Sequence, residues 1–166
     1  MSSFEKRIYE SAIELKDSLR KRSFLLGEDI AESNQFIKFS NNLFDIGFIY
    51  DDLGLEPQMN ISTRSNKVFL GINSLSACLD SANMSVSFEK KLPSLLYEIM
   101  IDPSSKYIVF ICELDILVYE SSGSLLWHMG FRNIVEDYYL KRDDSIVIEC
   151  EDGDITIFSL ESGKIK

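Results

Sequence analysis

From Phe39 to its C-terminus the chain repeats one local theme: an apolar run of strand length, a cluster of turn residues, then another apolar run. No other feature constrains the fold as tightly. Short apolar runs joined by brief turns bury their side chains most readily as neighbouring antiparallel strands. The candidate strands are Leu43–Tyr50, Met59–Arg64, Lys67–Ile72, Ser76–Asp80, Met84–Phe88, Leu95–Asp102, Tyr107–Glu113, Ile116–Glu120, Ser124–Met129, Ile134–Lys141, Ser145–Glu151, Ile155–Ser159 and a terminal Lys164–Lys166. Between them lie Ser65-Asn66, Asp102-Pro103-Ser104-Ser105, Ser121-Ser122-Gly123, Asp143-Asp144 and Glu151-Asp152-Gly153-Asp154. Gly, Asn and Asp supply the positive backbone angles that hairpin turns need.

The first 38 residues read differently. Phe4, Ile8, Ala12, Leu15 and Leu19 recur at helical spacing, and Ser2 with Glu5 forms a capping-box pattern. Lys16, Arg20, Lys21 and Arg22 crowd the C-terminal turns, where the helix dipole favours cations. Gly27 breaks the pattern, and a second helix is expected from Glu28 to Lys38. The expected class is therefore α+β. A helical segment, 1–38, precedes an antiparallel β domain, 39–166, with repeat-like units at about 95–130 and 134–166, in one folding unit. A hydrophobic content of 45% is enough for a substantial core.

Charge is distributed unevenly. Seven basic and seven acidic residues balance in 1–38, so the whole net charge of −10 falls after that point. Between Glu113 and Glu161 twelve acidic residues face only Arg132, Lys141 and Arg142. Such a field repels nucleic acid and anionic membrane and attracts basic partners. The longest apolar run, Tyr107–Cys112, is far too short to span a bilayer, and no leader-like apolar segment opens the chain. Cys78, Cys112 and Cys150 are odd in number and widely spaced. That pattern suits reduced core thiols in a cytoplasmic protein better than a disulfide framework or a zinc site.

No catalytic, cofactor or metal constellation emerges. His128 is the only histidine, and no adjacent signature supplies a nucleophile or an orienting group. Glu151-Asp152-Gly153-Asp154 lacks the spacing of a calcium loop and reads as a hairpin turn. Asp51/Asp52 and Asp143/Asp144 are adjacent turn carboxylates, unlike acid–base pairs drawn from separate elements. No phosphate-cradling glycine loop is present. A non-enzymatic protein is expected.

The last 72 residues contain a duplicated pattern. Tyr97 through Cys112-Glu113, Ile116–Tyr119 and Ser122-Gly123 match Val135 through Cys150-Glu151, Ile155–Phe158 and Ser162-Gly163, and Cys112 falls on Cys150. This order of strand, Asp/Ser turn, strand, acidic turn, strand and Ser-Gly turn resembles a blade of WD-type or quinoprotein-type β-propellers. Such units of about 40 residues leave room for three here, too few to close a ring, so an open sheet or a sandwich is expected. Oligomeric state stays open.

In overall profile the chain is also similar to bacterial toxin-immunity proteins, which implies occlusion of a basic partner such as a toxin nuclease. The partner-binding residues would be Glu136, Asp137, Tyr138, Tyr139, Asp143, Asp144, Glu149, Glu151, Asp152 and Asp154. One of the two adjacent tyrosines should face outward as an anchor. The alternative is a propeller-like scaffold or sensor that completes its sheet by oligomerisation, pairing with another copy or chain.

Overall fold

A computed structural model describes residues 4–166; Ser2 of the expected capping box lies outside them. Strand accounts for 53% of the chain and helix for 4%, which overturns the α+β expectation. The N-terminal segment folds as strand β1 (Glu5–Tyr9), one helix α1 (Ala12–Ser18) and strand β2 (Ser23–Leu26). β3 (Gln35–Ser40) takes the place of the expected second helix.

The physical reasons are local. Ala12, Leu15 and Leu19 do form a helical stripe, but the helix starts at Ser11, whose Oγ accepts from Glu14 N–H at 3.2 Å. The Glu14 carboxylate in turn accepts from the backbone N–H of Glu10 at 3.2 Å. This Ser11-x-x-Glu14 pattern does the work expected of Ser2 and Glu5. Upstream, Ile8 is 68% exposed on an edge strand paired with Ile37, so its spacing from Ala12 is coincidental. In β3 the alternation Phe36, Lys38 against Ile37, Phe39 has period two and overrides a helical reading.

The remaining strands are β4 (Asp45–Tyr50), β5 (Gln58–Ser62), β6 (Lys67–Ile72), β7 (Leu75–Asp80), β8 (Val86–Lys91), β9 (Leu96–Ile101), β10 (Tyr107–Cys112), β11 (Asp115–Glu120), β12 (Leu125–Gly130), β13 (Val135–Lys141), β14 (Ser145–Cys150) and β15 (Ile155–Ser159). The expected terminal strand reduces to a bridge between Phe158 and Ile165.

These strands form four separate small sheets, one more than the repeat length allowed. The first has the order β1-β3-β4-β2, with β2 parallel to β4. The second (β5–β8) and third (β9–β12) are four-stranded antiparallel meanders, and the fourth (β13–β15) is a three-stranded meander. The N-terminal residues supply the extra sheet, which is why it was missed.

The sheets stack face to face in chain order. Leu26, Ile46 and Phe48 of the first meet Val68, Leu70 and Leu79 of the second. Phe69 and Cys78 of the second meet Leu96, Ile108 and Phe110 of the third. Tyr107, Val109 and Val118 of the third meet Val135, Ile146 and Ile148 of the fourth. The middle strands are therefore apolar on both faces, and β10 is buried at every residue. Among the described residues no core cluster joins the first sheet to the fourth, so the stack is an open arc.

Candidate interaction surface

The two ends of the arc differ. On the outer face of the first sheet, Ala12 and Leu15 of α1 pack on Ile49, with Tyr9, Leu19, Leu25 and Phe36 around them. Asp45 locks this cap. It accepts from the Arg20 backbone N–H at 2.9 Å and from its guanidinium at 3.0 and 2.5 Å. Burial raises the Asp45 carboxyl, but these bonds outweigh it and hold the group at about 2. Lys38 Nζ donates to Ser18 O at 3.0 Å, satisfying a carbonyl at the helix end.

The outer face of the fourth sheet has no such cover among the described residues. Register places three rows of side chains on it: Lys141–Ser145–Ser159, Tyr139–Val147–Ile157 and Asp137–Glu149–Ile155. Tyr139 is 50% and Ile155 61% exposed, whereas Val147 and Ser145 on the central strand are buried. The same rows on the third sheet include Met100–Val109–Val118 and Glu98–Ile111–Ile116, and those are covered by the fourth. Glu149 thus stands where the preceding sheet has Ile111. It sits directly opposite Asp137, a like-charge cross-strand pair that costs stability.

Backbone bonds at the junctions tell the same story. At the second-to-third junction, Leu92 N–H donates to Ser74 O and Leu96 N–H to Asn73 O, both at 2.7 Å. At the third-to-fourth junction, Phe131 N–H donates to Leu114 O at 2.7 Å and Val135 N–H to Glu113 O at 2.9 Å. The equivalent carbonyls in the fourth sheet belong to Glu151 and Asp152, and no backbone donor among the described residues reaches them.

The ten residues singled out from the sequence do not form one patch. Asp137, Tyr139 and Glu149 lie on the outer face. Glu136 is exposed at a bulge beside it. Tyr138 turns inward onto the core shared with the third sheet, where Glu98 is its nearest charged influence. Burial first, and then the Glu98 charge, push that phenol up to about 12. Tyr139 is thus the outward member of the pair. Asp143 and Asp144 occupy the β13–β14 turn, where Asp143 is bound by Lys166 Nζ at 3.2 Å and by the Ser145 hydroxyl. Glu151, Asp152 and Asp154 rim the opposite end in the β14–β15 turn, where Asp152 also accepts from Asn133. Sequence reasoning missed Lys141, Val147 and Ile157, although strict alternation from Tyr139 and Glu149 would have found the first two.

His128 Nε2 lies 2.7 Å from Asp115 Oδ1, and Ser94 Oγ donates to Asp115 Oδ2 at 2.6 Å. The carboxylate therefore sits between the other two groups. A nucleophilic triad needs the imidazole in the middle, where it can take the hydroxyl proton. Asp115 instead pins the β12 strand and the 94–95 segment to the start of β11. Burial pushes the Cys78 thiol up to about 11 and the Cys112 thiol up to about 12, consistent with inert core cysteines. A cavity of about 500 Å³ beside the first sheet contains Arg20 and Asp45, which are tied to each other. One of about 420 Å³ between the first and second sheets is lined by Tyr50, Asp51, Asn73, Ser74, Glu89 and Lys91, and Asp51 Oδ1 accepts from the Asn34 side chain at 3.2 Å. No helix among the described residues is long and apolar enough to cross a membrane.

No protein-family model and no curated protein matches the sequence. Solved structures do match by fold. The WD40 repeats of RRP9 align with a TM-score of 0.51 at 12% identity, over 66% of this chain and 36% of that one. The Cps50 (Swd1) β-propeller domain of Myceliophteria thermophila aligns with a TM-score of 0.50 at 10% identity, over 65% and 35%. The computationally designed Ika8 protein aligns with a TM-score of 0.55 at 12% identity, over 84% of this chain and 46% of that one. The chain thus corresponds to about a third of the two propeller-type chains. The fold is propeller-like, in keeping with the blade resemblance, and the toxin-immunity profile finds no support among these neighbours.

Proposed function

We propose that this chain is a non-enzymatic, propeller-like scaffold that docks another β-sheet on the outer face of its fourth sheet. The observation that carries this reading is the asymmetry of the arc. One terminal sheet is sealed by α1, while the other leaves Tyr139 and Ile155 exposed on its outer face and two carbonyl acceptors without a backbone donor among the described residues. Stacked repeat architectures need polar caps at both ends, and a bare end is where stacking continues. The occupant is a sheet from a second copy or from another chain.

The test compares wild type with Tyr139→Arg, which places a charge in the middle of the face without touching the core. Each is used to capture proteins from an extract of the source cell and is also sized by light scattering. The wild type is expected to form a complex that the variant loses. Complexes unaffected by Tyr139→Arg would refute the docking face.

A further inference from the structure

Building on this docking face, we infer that the sheet it receives is the fourth sheet of a second copy, related by a two-fold axis lying across the strands. The reason is the order of the rows. One flanking row carries a cation, Lys141, the central row is apolar, and the other flanking row carries two carboxylates, Asp137 and Glu149. Packed sheets stand about 10 Å apart, close enough for facing rows to meet. A two-fold axis across the strands reverses strand direction in the partner. Each copy's Lys141 then faces the other's Asp137 and Glu149, and Tyr139–Val147–Ile157 packs on its own equivalent. Lys141 makes no ion pair in the single chain among the described residues, so it is free to do this.

The competing arrangement has the axis along the strands. It sets the acidic row against itself, with Glu149 opposite its own copy and each Asp137 opposite Ile155, which crowds four carboxylates into one row, and it is rejected by that repulsion. Head-to-tail stacking on the first sheet requires removing α1, whose Ala12 and Leu15 are buried. The two-fold pairing needs no such rearrangement, and isologous contacts of this kind close on themselves. The like-charge pair thus has a use: it is costly in the single chain and is offset by the partner's lysine. A face of three short strands is at the small end of interface sizes, so the dimer is weak and forms in the micromolar range.

Sedimentation equilibrium of the full chain from about 1 to about 500 µM, at about 0.15 M salt, tests this. The Debye length of about 8 Å there screens the net charge of −10 on each copy more than it screens contacts across the face. The wild type is expected to shift from monomer to dimer. Lys141→Glu is expected to weaken dimerisation at least tenfold, as is the double variant Asp137→Lys/Glu149→Lys. An equimolar mixture of the two variants is expected to recover a heterodimer. A wild type that stays monomeric, a dimer indifferent to Lys141→Glu, or a mixture no better than its components would each overturn the two-fold pairing. If the wild type is monomeric yet captures a partner in a Tyr139-dependent manner, the pairing falls and the docking face stands. If it is monomeric and captures nothing, both fall.

Discussion

The first and fourth sheets perform the same task at opposite ends of one stack, and they do it in opposite ways. The first has four strands, a helix over its outer face and an ion pair between the half-exposed Arg20 and the buried Asp45 fastening that helix. The fourth has three strands and an outer face whose central row is apolar but whose neighbouring row holds two acids. It is held from the inside instead. Trp127 of the third sheet donates its indole N–H to Leu160 O at 2.7 Å, and its ring packs on Phe158. Gly163, at φ +67°, passes so close to that ring that a Cβ would sit 2.7 Å from it. The contrast teaches that what distinguishes a finished end from a receptive one is the chemistry of its outward rows. Strand sequence alone does not decide it.

The largest expected effect probes the sealed end. Asp45→Ala removes the buried acceptor of three Arg20 bonds and leaves the half-exposed guanidinium to solvent, and it is expected to lower stability in urea unfolding more than either truncation below. The Asp45 carboxyl titrates below its ordinary range when folded. Its contribution is therefore complete above about pH 4 and is lost as the pH falls through about 2. Wild-type stability should fall across that interval, and the fall should be shallower in Asp45→Ala. Next, Leu15→Ala opens a cavity under α1 and is expected to cost about 3 kcal/mol. The truncation at the bare end, Val147→Ala, removes two carbons rather than three from a side chain that is itself buried between Tyr139 and Ile157, and is expected to cost about 2 kcal/mol. Equal losses at Leu15 and Val147 would break the comparison. The smallest effect has the opposite sign. Glu149→Ile restores the residue type of Ile111 and removes the repulsion with Asp137, so the monomer should gain about 0.5 kcal/mol.

Much of the β region was legible. Lys67–Ile72 and Ile155–Ser159 were bounded by the sequence as the structure has them, because Ser65-Asn66 and Asp154 mark turns with little ambiguity. The Cys112/Cys150 repeat corresponds to two successive sheets. The N-terminal region misled because Phe4, Ile8 and Ala12 fit a helical period over a stretch where tertiary pairing with β3 decides the outcome. A single edge strand carries little signal of its own. The docking face was half legible. The acids and Tyr139 stood out by type, but grouping them by proximity in sequence mixed one face with two turn rims. Only register separates Tyr138, which is inward and packed on the core, from Tyr139, which is outward.

The asymmetry of the two ends is tested most directly by hydrogen–deuterium exchange of the dilute chain, read segment by segment. Amides of β14 and β15 are expected to exchange through a sub-global opening of the fourth sheet while those of β3 and β4 remain protected to the global unfolding limit. Exchange that proceeds first through α1 and the first sheet, or with one rate across all four sheets, would contradict the account.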